Sequence, residues 1–106
     1  MMLVCFRSRL APDAQAEYAP LAAEIAALAS AQPGLLNFKT FAASDGKRVT
    51  LAEFENAEAV EAWRVNPRHQ EAQQAGRERF YETYRVQVCE VVREYGREGR
   101  KDDTGH

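Results

Sequence analysis

The sequence predicts an α+β domain with the ferredoxin-like order β-α-β-β-α-β, in which a four-stranded antiparallel sheet carries helices on one face. Apolar residues alternate with period two in four segments and recur at spacings of three and four in the segments between them. A chain of 106 residues suffices for one such core and is too short for two. Since helices cover one face only, we expect a second copy of the chain to cover the other, which makes the protein a homodimer.

The first two elements are a strand and the clearest amphipathic helix of the chain. Met2 to Leu10 alternates along two faces and is followed by Pro12-Asp13, which ends the strand. Asp13 is expected to cap a helix that stops at Pro33-Gly34. The apolar stripe of this helix consists of Tyr18, Leu21, Ile25 and Leu28.

The middle of the chain predicts a β-hairpin followed by a short helix. Two alternating segments, Leu35 to Ala42 and Val49 to Glu55, flank an Asp-Gly pair that tolerates positive φ. Asn56 is then expected to cap a helix from Ala57 to about Val65, whose inward side chains are Val60 and Trp63.

The last two elements begin at Asn66-Pro67. Asparagine can accept a hydrogen bond from a free backbone N–H, and proline at the first helical position needs no partner. A helix is therefore expected from Pro67 to about Tyr81, with Ala72, Gly76 and Phe80 facing the sheet. A strand of about a dozen residues, Tyr84 to Tyr95, follows it with apolar groups on both faces.

Composition and charge exclude several function classes. The net charge is -2 with both signs mixed along the chain, so the basic face of a nucleic-acid-binding protein is missing. No apolar run approaches the length of a membrane span and no leader pattern precedes the first strand, so we expect a cytoplasmic protein without membrane contact. Residues 1–95 form the expected domain, and residues 96–106 are expected to be a disordered tail.

The cysteines and histidines do not predict a metal site. Cys5 and Cys89 lie in predicted strands and are expected to be buried free thiols. With two cysteines and two histidines in the chain, a closed zinc site cannot be assembled from these ligands. No Gly-rich phosphate loop or serine nucleophile elbow is present, so no cofactor is expected.

A polar stripe on the last predicted helix is the candidate site. His69, Gln73 and Arg77 follow one another at a spacing of four, and Tyr81 lies one turn further on. Near the start of a helix, the helix dipole is expected to lower the pKa of His69 and keep the imidazole neutral, as a base requires. The alternatives are that this stripe is a solvated surface and that Trp63 is only a core anchor.

Several segments also carry a resemblance to a known family: Phe54 to Ala59, Ala62-Trp63-Arg64, Asn66 to His69, Gln73, Gly76-Arg77, Tyr81, Tyr84 and Val88 to Arg93. Over roughly residues 2 to 95 the chain resembles the antibiotic biosynthesis monooxygenase family of dimeric α+β barrels. The resemblance implies a cofactor-independent oxygenation of a small aromatic molecule. An electron-rich phenol or hydroquinone loses a proton, and its anion reacts with dioxygen.

The resemblance also assigns roles to individual positions. It implies that Trp63 lines the substrate pocket, and His69 stands where the family carries a polar ring, while Ala59 stands where the family uses an asparagine to hold the substrate oxygen. His69 is thus the predicted base, and the predicted substrate contacts are Trp63, Gln73, Arg77 and Tyr81. Two other functions stay open: a non-catalytic barrel that binds a small apolar ligand, and a haem-degrading enzyme, whose histidine position is occupied here by Gln73.

Overall fold

The predicted order of elements is confirmed by a computed structural model, which describes residues 1–97. The elements are β1 Met2–Leu10, α1 Gln15–Ser30, β2 Leu35–Ala42, β3 Lys47–Phe54, α2 Ala57–Arg64, α3 Pro67–Ala75, a π-helical turn Gly76–Phe80 and β4 Tyr81–Glu90. The strands form one antiparallel sheet in the order β2-β3-β1-β4. The predicted hairpin is β2–β3, and its turn contains Gly46 at φ 92°.

The core lies between the helices and one face of the sheet. Alternation along β3 turns Ala52 and Phe54 toward the helices, where they meet Ala29 of α1 and Trp63 of α2. Phe54 is fully buried and Trp63 is 6% exposed. The predicted stripe of α1 contributes Ile25 and Leu28 to this cluster, and α2 contributes Val60.

Two of the three predicted helix caps are present. The Asn56 side chain accepts a hydrogen bond from the Ala59 N–H at 2.9 Å. The Asn66 side chain accepts from the N–H groups of Arg68 and His69 at 3.0 and 3.1 Å. The prediction that Asp13 caps α1 is wrong, because Ala14 occupies the cap position and no side chain caps this helix.

The junction between α3 and β4 differs from the prediction. The α-helix ends at Ala75 rather than near Tyr81, one π-helical turn follows, and β4 runs over Tyr81–Glu90 rather than from Tyr84 to Tyr95. The Tyr81 ring folds back onto Gly76, so closely that a Cβ atom at Gly76 would lie 2.2 Å from Cε2 of the ring. The π-helical turn is wider than an α-helical turn, and it places the Tyr81 ring beside the end of α3. The predicted inward set Ala72, Gly76 and Phe80 is buried, as expected.

The second face of the sheet carries no helix within residues 1–97. The strand register places Leu3, Cys5, Val49 and Leu51 on this open face. Cys5 is half-buried, but Cys89 is exposed, so the prediction of two buried thiols is wrong for Cys89. The reason is that β4 is an edge strand and Cys89 lies on its uncovered side.

Two further predictions concern the C-terminal tail and membrane contact. Most of the predicted tail, residues 98–106, lies outside the described residues, and Gly96 and Arg97 are in no regular structure. Among residues 1–97, no helix has the length and apolar character needed to cross a lipid bilayer.

Candidate functional site

A cavity of about 390 Å³ lies between the helices and the sheet. Its wall is mostly apolar, from Val4 and Phe6 of β1, Leu21 and Ile25 of α1, Phe38 of β2, Trp63 of α2, and Val86 and Val88 of β4. The polar lining groups are Tyr18, Thr50, Arg64, His69, Gln73 and Tyr81. Concave sites of this size, apolar with a few polar groups, are typical binding sites for small molecules.

His69 is stacked on Trp63 in the wall of this cavity. The ring centroids are 3.9 Å apart and the planes differ by 15°. The His69 side chain also reaches back to the end of α2, where its Nδ1 lies 2.9 Å from the backbone oxygen of Trp63. The Asn66 cap holds the backbone of His69 at the same point. The imidazole is therefore held in orientation by a ring contact and one hydrogen bond, and the cap bond holds the backbone that carries it.

The hydrogen bond of His69 determines which ring nitrogen can act as a base. A backbone oxygen only accepts hydrogen bonds, so Nδ1 carries the hydrogen and donates it to Trp63. In the neutral ring, Nε2 is then the nitrogen with the free lone pair. Burial lowers the pKa of His69, and the hydrogen bond to the Trp63 oxygen opposes this only in part. The lowering was predicted, but its main cause is burial of the ring.

Two tyrosines meet on the same cavity. The hydroxyl groups of Tyr18 and Tyr81 lie 3.0 Å apart, and their rings make an edge-to-face contact at 5.6 Å. Phe6 packs against Tyr81 at 5.2 Å between centroids. Burial, followed by the hydrogen bond with Tyr18, raises the pKa of Tyr81, which keeps its phenol protonated.

The structure brings four of the five predicted site residues together. Trp63, His69, Gln73 and Tyr81 line the cavity, whereas Arg77 is exposed in the π-helical turn and is not among the lining residues. The π turn changes the helical phase, so the spacing of four that groups Arg77 with His69 does not hold there.

Sequence reasoning did not select several lining residues. Phe6 and Phe38 were interpreted only as strand residues, and Arg64 only as part of the family resemblance. Only the alternation in the strands could have identified Phe6 and Phe38 as lining residues, since it turns both to the helix side of the sheet. Arg64 lines the cavity but is paired with Glu61, with 3.0 Å between Nε and Oε1.

The remaining expectations about the site concern an amide and a metal. Ala59 contacts the hydrophobic core and is absent from the cavity lining, so this chain places no amide there from α2. Within residues 1–97, no three histidine, cysteine, aspartate or glutamate side chains are grouped so that they could hold a metal ion.

Comparison with known proteins identifies relatives of this chain. The family model for antibiotic biosynthesis monooxygenases matches residues 1–75. The uncharacterized protein YqjZ of Bacillus subtilis is 34% identical over 77 residues, which cover 73% of this chain and 68% of that protein.

Solved structures show the same fold at low sequence identity. Rv0793 from Mycobacterium tuberculosis superposes with a TM-score of 0.80 at 19% identity, covering 90% of this chain and 98% of that one. A variant of SnoaB, a cofactor-independent oxygenase from Streptomyces nogalater, superposes with a TM-score of 0.76 at 19% identity over 88% of this chain and 94% of that one. On the family match and the sequence identity, this chain belongs to the antibiotic biosynthesis monooxygenase family.

Proposed function

We propose that this protein is a cofactor-independent monooxygenase that oxidises a small phenol or hydroquinone with dioxygen. The observation that carries the proposal is the imidazole of His69, which is held by its Nδ1 hydrogen bond and by stacking on Trp63 in the wall of an apolar cavity. The family match and the fold shared with the oxygenase SnoaB support it.

His69 supplies the proton-transfer step. Nε2 accepts the hydroxyl proton of the bound phenol, which leaves a phenolate in the cavity and an imidazolium on the protein. The Trp63 backbone oxygen accepts the Nδ1 hydrogen throughout and so stabilises the imidazolium. A base with a lowered pKa is unprotonated near neutral pH, which is the state that this step requires.

The phenolate supplies the electrons for oxygen reduction. One oxygen atom becomes bonded to an unsubstituted ring carbon ortho or para to the phenolate oxygen, and that carbon loses its hydrogen. The other oxygen atom leaves as water, so dioxygen converts a phenol into a quinone and a hydroquinone into a hydroxyquinone, with one water formed in each case. The substrate provides all four electrons, and no external reductant enters the balance.

The cavity determines what size and shape of substrate binds. Its volume of about 390 Å³ lies at the lower end of the range for small-molecule sites. Phe6 and Phe38 provide apolar ring surface, and Trp63, one face of which is stacked on His69, adds to the same wall, so an aromatic ring packs favourably there. Gln73, one turn after His69, supplies an amide that can hydrogen-bond the substrate.

We expect the protein to act as a homodimer joined through the open face of the sheet. Leu3, Val49 and Leu51 form an apolar strip on that face. The charges on this face are unequally distributed. Arg7 lies directly opposite Arg85, and Glu53 lies about 13 Å from this arginine pair along the strands. A second copy in antiparallel orientation brings the glutamate of one chain toward the arginines of the other.

Oxygen uptake with a panel of hydroquinones and anthrones tests the proposed activity. We expect uptake by the native protein and a loss of roughly a hundredfold or more in His69→Ala. Arg77→Ala is the control, because Arg77 does not line the cavity, and it should keep the native rate. An unchanged rate in His69→Ala would overturn the assignment of the base.

A non-catalytic binding protein is the second outcome of the same experiment. If no compound of the panel is oxidised, the monooxygenase proposal fails. Calorimetric titration with the same compounds then shows whether the cavity binds aromatic molecules without turning them over.

A further inference from the structure

We propose that Tyr18 and Tyr81 form a second polar anchor of the cavity, so that the ligand is a phenol with another hydrogen-bond-accepting oxygen at the far end of its ring system. This inference rests on the proposed function, in which the phenolic hydroxyl faces His69. It adds a specificity-determining pair of residues and narrows the class of substrate.

The hydrogen-bonding capacity of the two tyrosines is only partly used. Two hydroxyl groups carry two hydrogens, and the contact between Tyr18 and Tyr81 uses one of them. No other hydrogen bond to either hydroxyl is formed among residues 1–97. One O–H donor is therefore left for a ligand, and both residues line the cavity.

The backbone around Tyr81 is irregular on both sides of the residue. A π-helical turn ends at Phe80, directly before it, and the pairing of β1 with β4 shifts register between Arg9 and Leu10, where Leu10 pairs with Tyr81. Such turns and bulges redirect side chains and are frequent at functional sites. Gly76 contributes as well, because any larger residue would occupy the space of the Tyr81 ring.

The electrostatics of this end of the cavity favour an oxygen acceptor. The guanidinium carbon of Arg48 lies 5.8 Å from the centre of the Tyr18 ring. Its positive charge attracts an electron-rich ligand oxygen to the tyrosine pair. Tyr81 keeps its proton, since burial and the contact with Tyr18 raise its pKa, and so it serves as a donor rather than as a base.

The separation of the two anchors determines the shape of the ligand. His69 lies in the first turn of α3 and Tyr81 follows the π turn twelve residues later, so their backbones are about 18 Å apart along the axis of an ideal helix. The Tyr81 ring folds back toward Gly76, which shortens this separation, and both residues line the same cavity, so a ligand of fused rings can contact both. A carbonyl group fits the tyrosine end, because it accepts a hydrogen bond and carries no competing donor.

Isothermal titration calorimetry with two matched naphthols tests this inference. One naphthol carries an acetyl group at the end opposite its hydroxyl, and the other carries an isopropyl group there. The two substituents have the same number of heavy atoms and a similar size, but only the acetyl group accepts a hydrogen bond. We expect the native protein to bind the acetyl compound roughly three to ten times more tightly.

Three variants assign the preference to the tyrosine pair. The preference for the acetyl compound should fall in Tyr81→Phe and disappear in the double variant Tyr18→Phe/Tyr81→Phe. The affinity for the isopropyl compound should change little in either variant. Tyr84→Phe is the matched control, because Tyr84 is exposed and does not line the cavity, and it should keep the native preference.

The possible failures are distinguishable. Equal affinity of the native protein for both naphthols, or a preference that persists in the double variant, overturns the tyrosine anchor and leaves the proposed function intact. If neither naphthol binds, both the anchor and the proposed aromatic site are wrong.

Discussion

Replacing Gly76 by alanine should displace the Tyr81 ring and destabilise the fold. The added Cβ would lie 2.2 Å from Cε2 and 2.8 Å from Cδ2 of this ring. The ring must therefore retreat by about 1.2 Å to reach ordinary van der Waals contact. That movement breaks the hydrogen bond with Tyr18 and disturbs the contact with Phe6.

The expected magnitude follows from opposing contributions. Overpacking of a filled site costs about 1 to 3 kcal/mol, and the lost hydrogen bond costs about 1 kcal/mol. Alanine regains up to about 1 kcal/mol, because glycine is the poorer helix former. The free energy of unfolding of Gly76→Ala should thus fall by about 2 kcal/mol.

Urea denaturation at fixed protein concentration measures this change, and a double-mutant cycle identifies its cause. In a Tyr81→Ala background the ring is absent, so Gly76→Ala should be neutral or stabilising by up to about 1 kcal/mol. The coupling free energy between the two positions should then be about 2 to 3 kcal/mol. Equal destabilisation in both backgrounds would refute the claim that the ring occupies this space.

Three further changes test the burial of His69, the turn glycines and the core. Burial lowers the pKa of His69, so the unfolded state binds the proton more tightly than the folded state does. The urea midpoint of the native protein should therefore fall as the pH drops below about 6.5, and the midpoint of His69→Asn should fall less. Gly34→Ala should destabilise more than Gly46→Ala, because both have positive φ but only at Gly34 would a Cβ meet the Cβ of Ala59, at 2.6 Å. Phe54→Ala should lower the free energy of unfolding by about 3 to 5 kcal/mol, since Phe54 is fully buried.

Much of the fold could be predicted, because local signals in the sequence agree with the final structure. The asparagines before α2 and α3 are helix caps whose geometry involves only neighbouring residues. The hairpin between β2 and β3 follows from alternation and from the Asp-Gly pair. Such features do not depend on distant parts of the chain.

The end of α3 could not be predicted in the same way. Arg77, Glu78 and Arg79 are good helix formers, and nothing local distinguishes a π turn from continued α-helix. The turn instead accommodates the contact between Tyr81 and Gly76 and the pairing of Tyr81 with Leu10 of β1. The contribution of Arg77 to the predicted site depended on the regular helix, and so the structure does not place it with the others.

The cavity itself was predicted only in part. Trp63 and His69 are six residues apart, and their proximity follows from two consecutive helices. The pairing of Tyr18 with Tyr81 joins residues 63 positions apart and depends on how α1 packs against the start of β4. Cys89 shows the same dependence on tertiary structure, because alternation alone does not say whether a face of an edge strand is covered.

A crystal structure of the protein with the acetyl-substituted naphthol tests the central claim most directly. We predict that the naphthol ring lies against Trp63, with its hydroxyl oxygen within about 2.6 to 3.2 Å of His69 Nε2. A ligand bound outside the cavity, or with its hydroxyl pointing away from His69, would contradict the assignment of this histidine as the base.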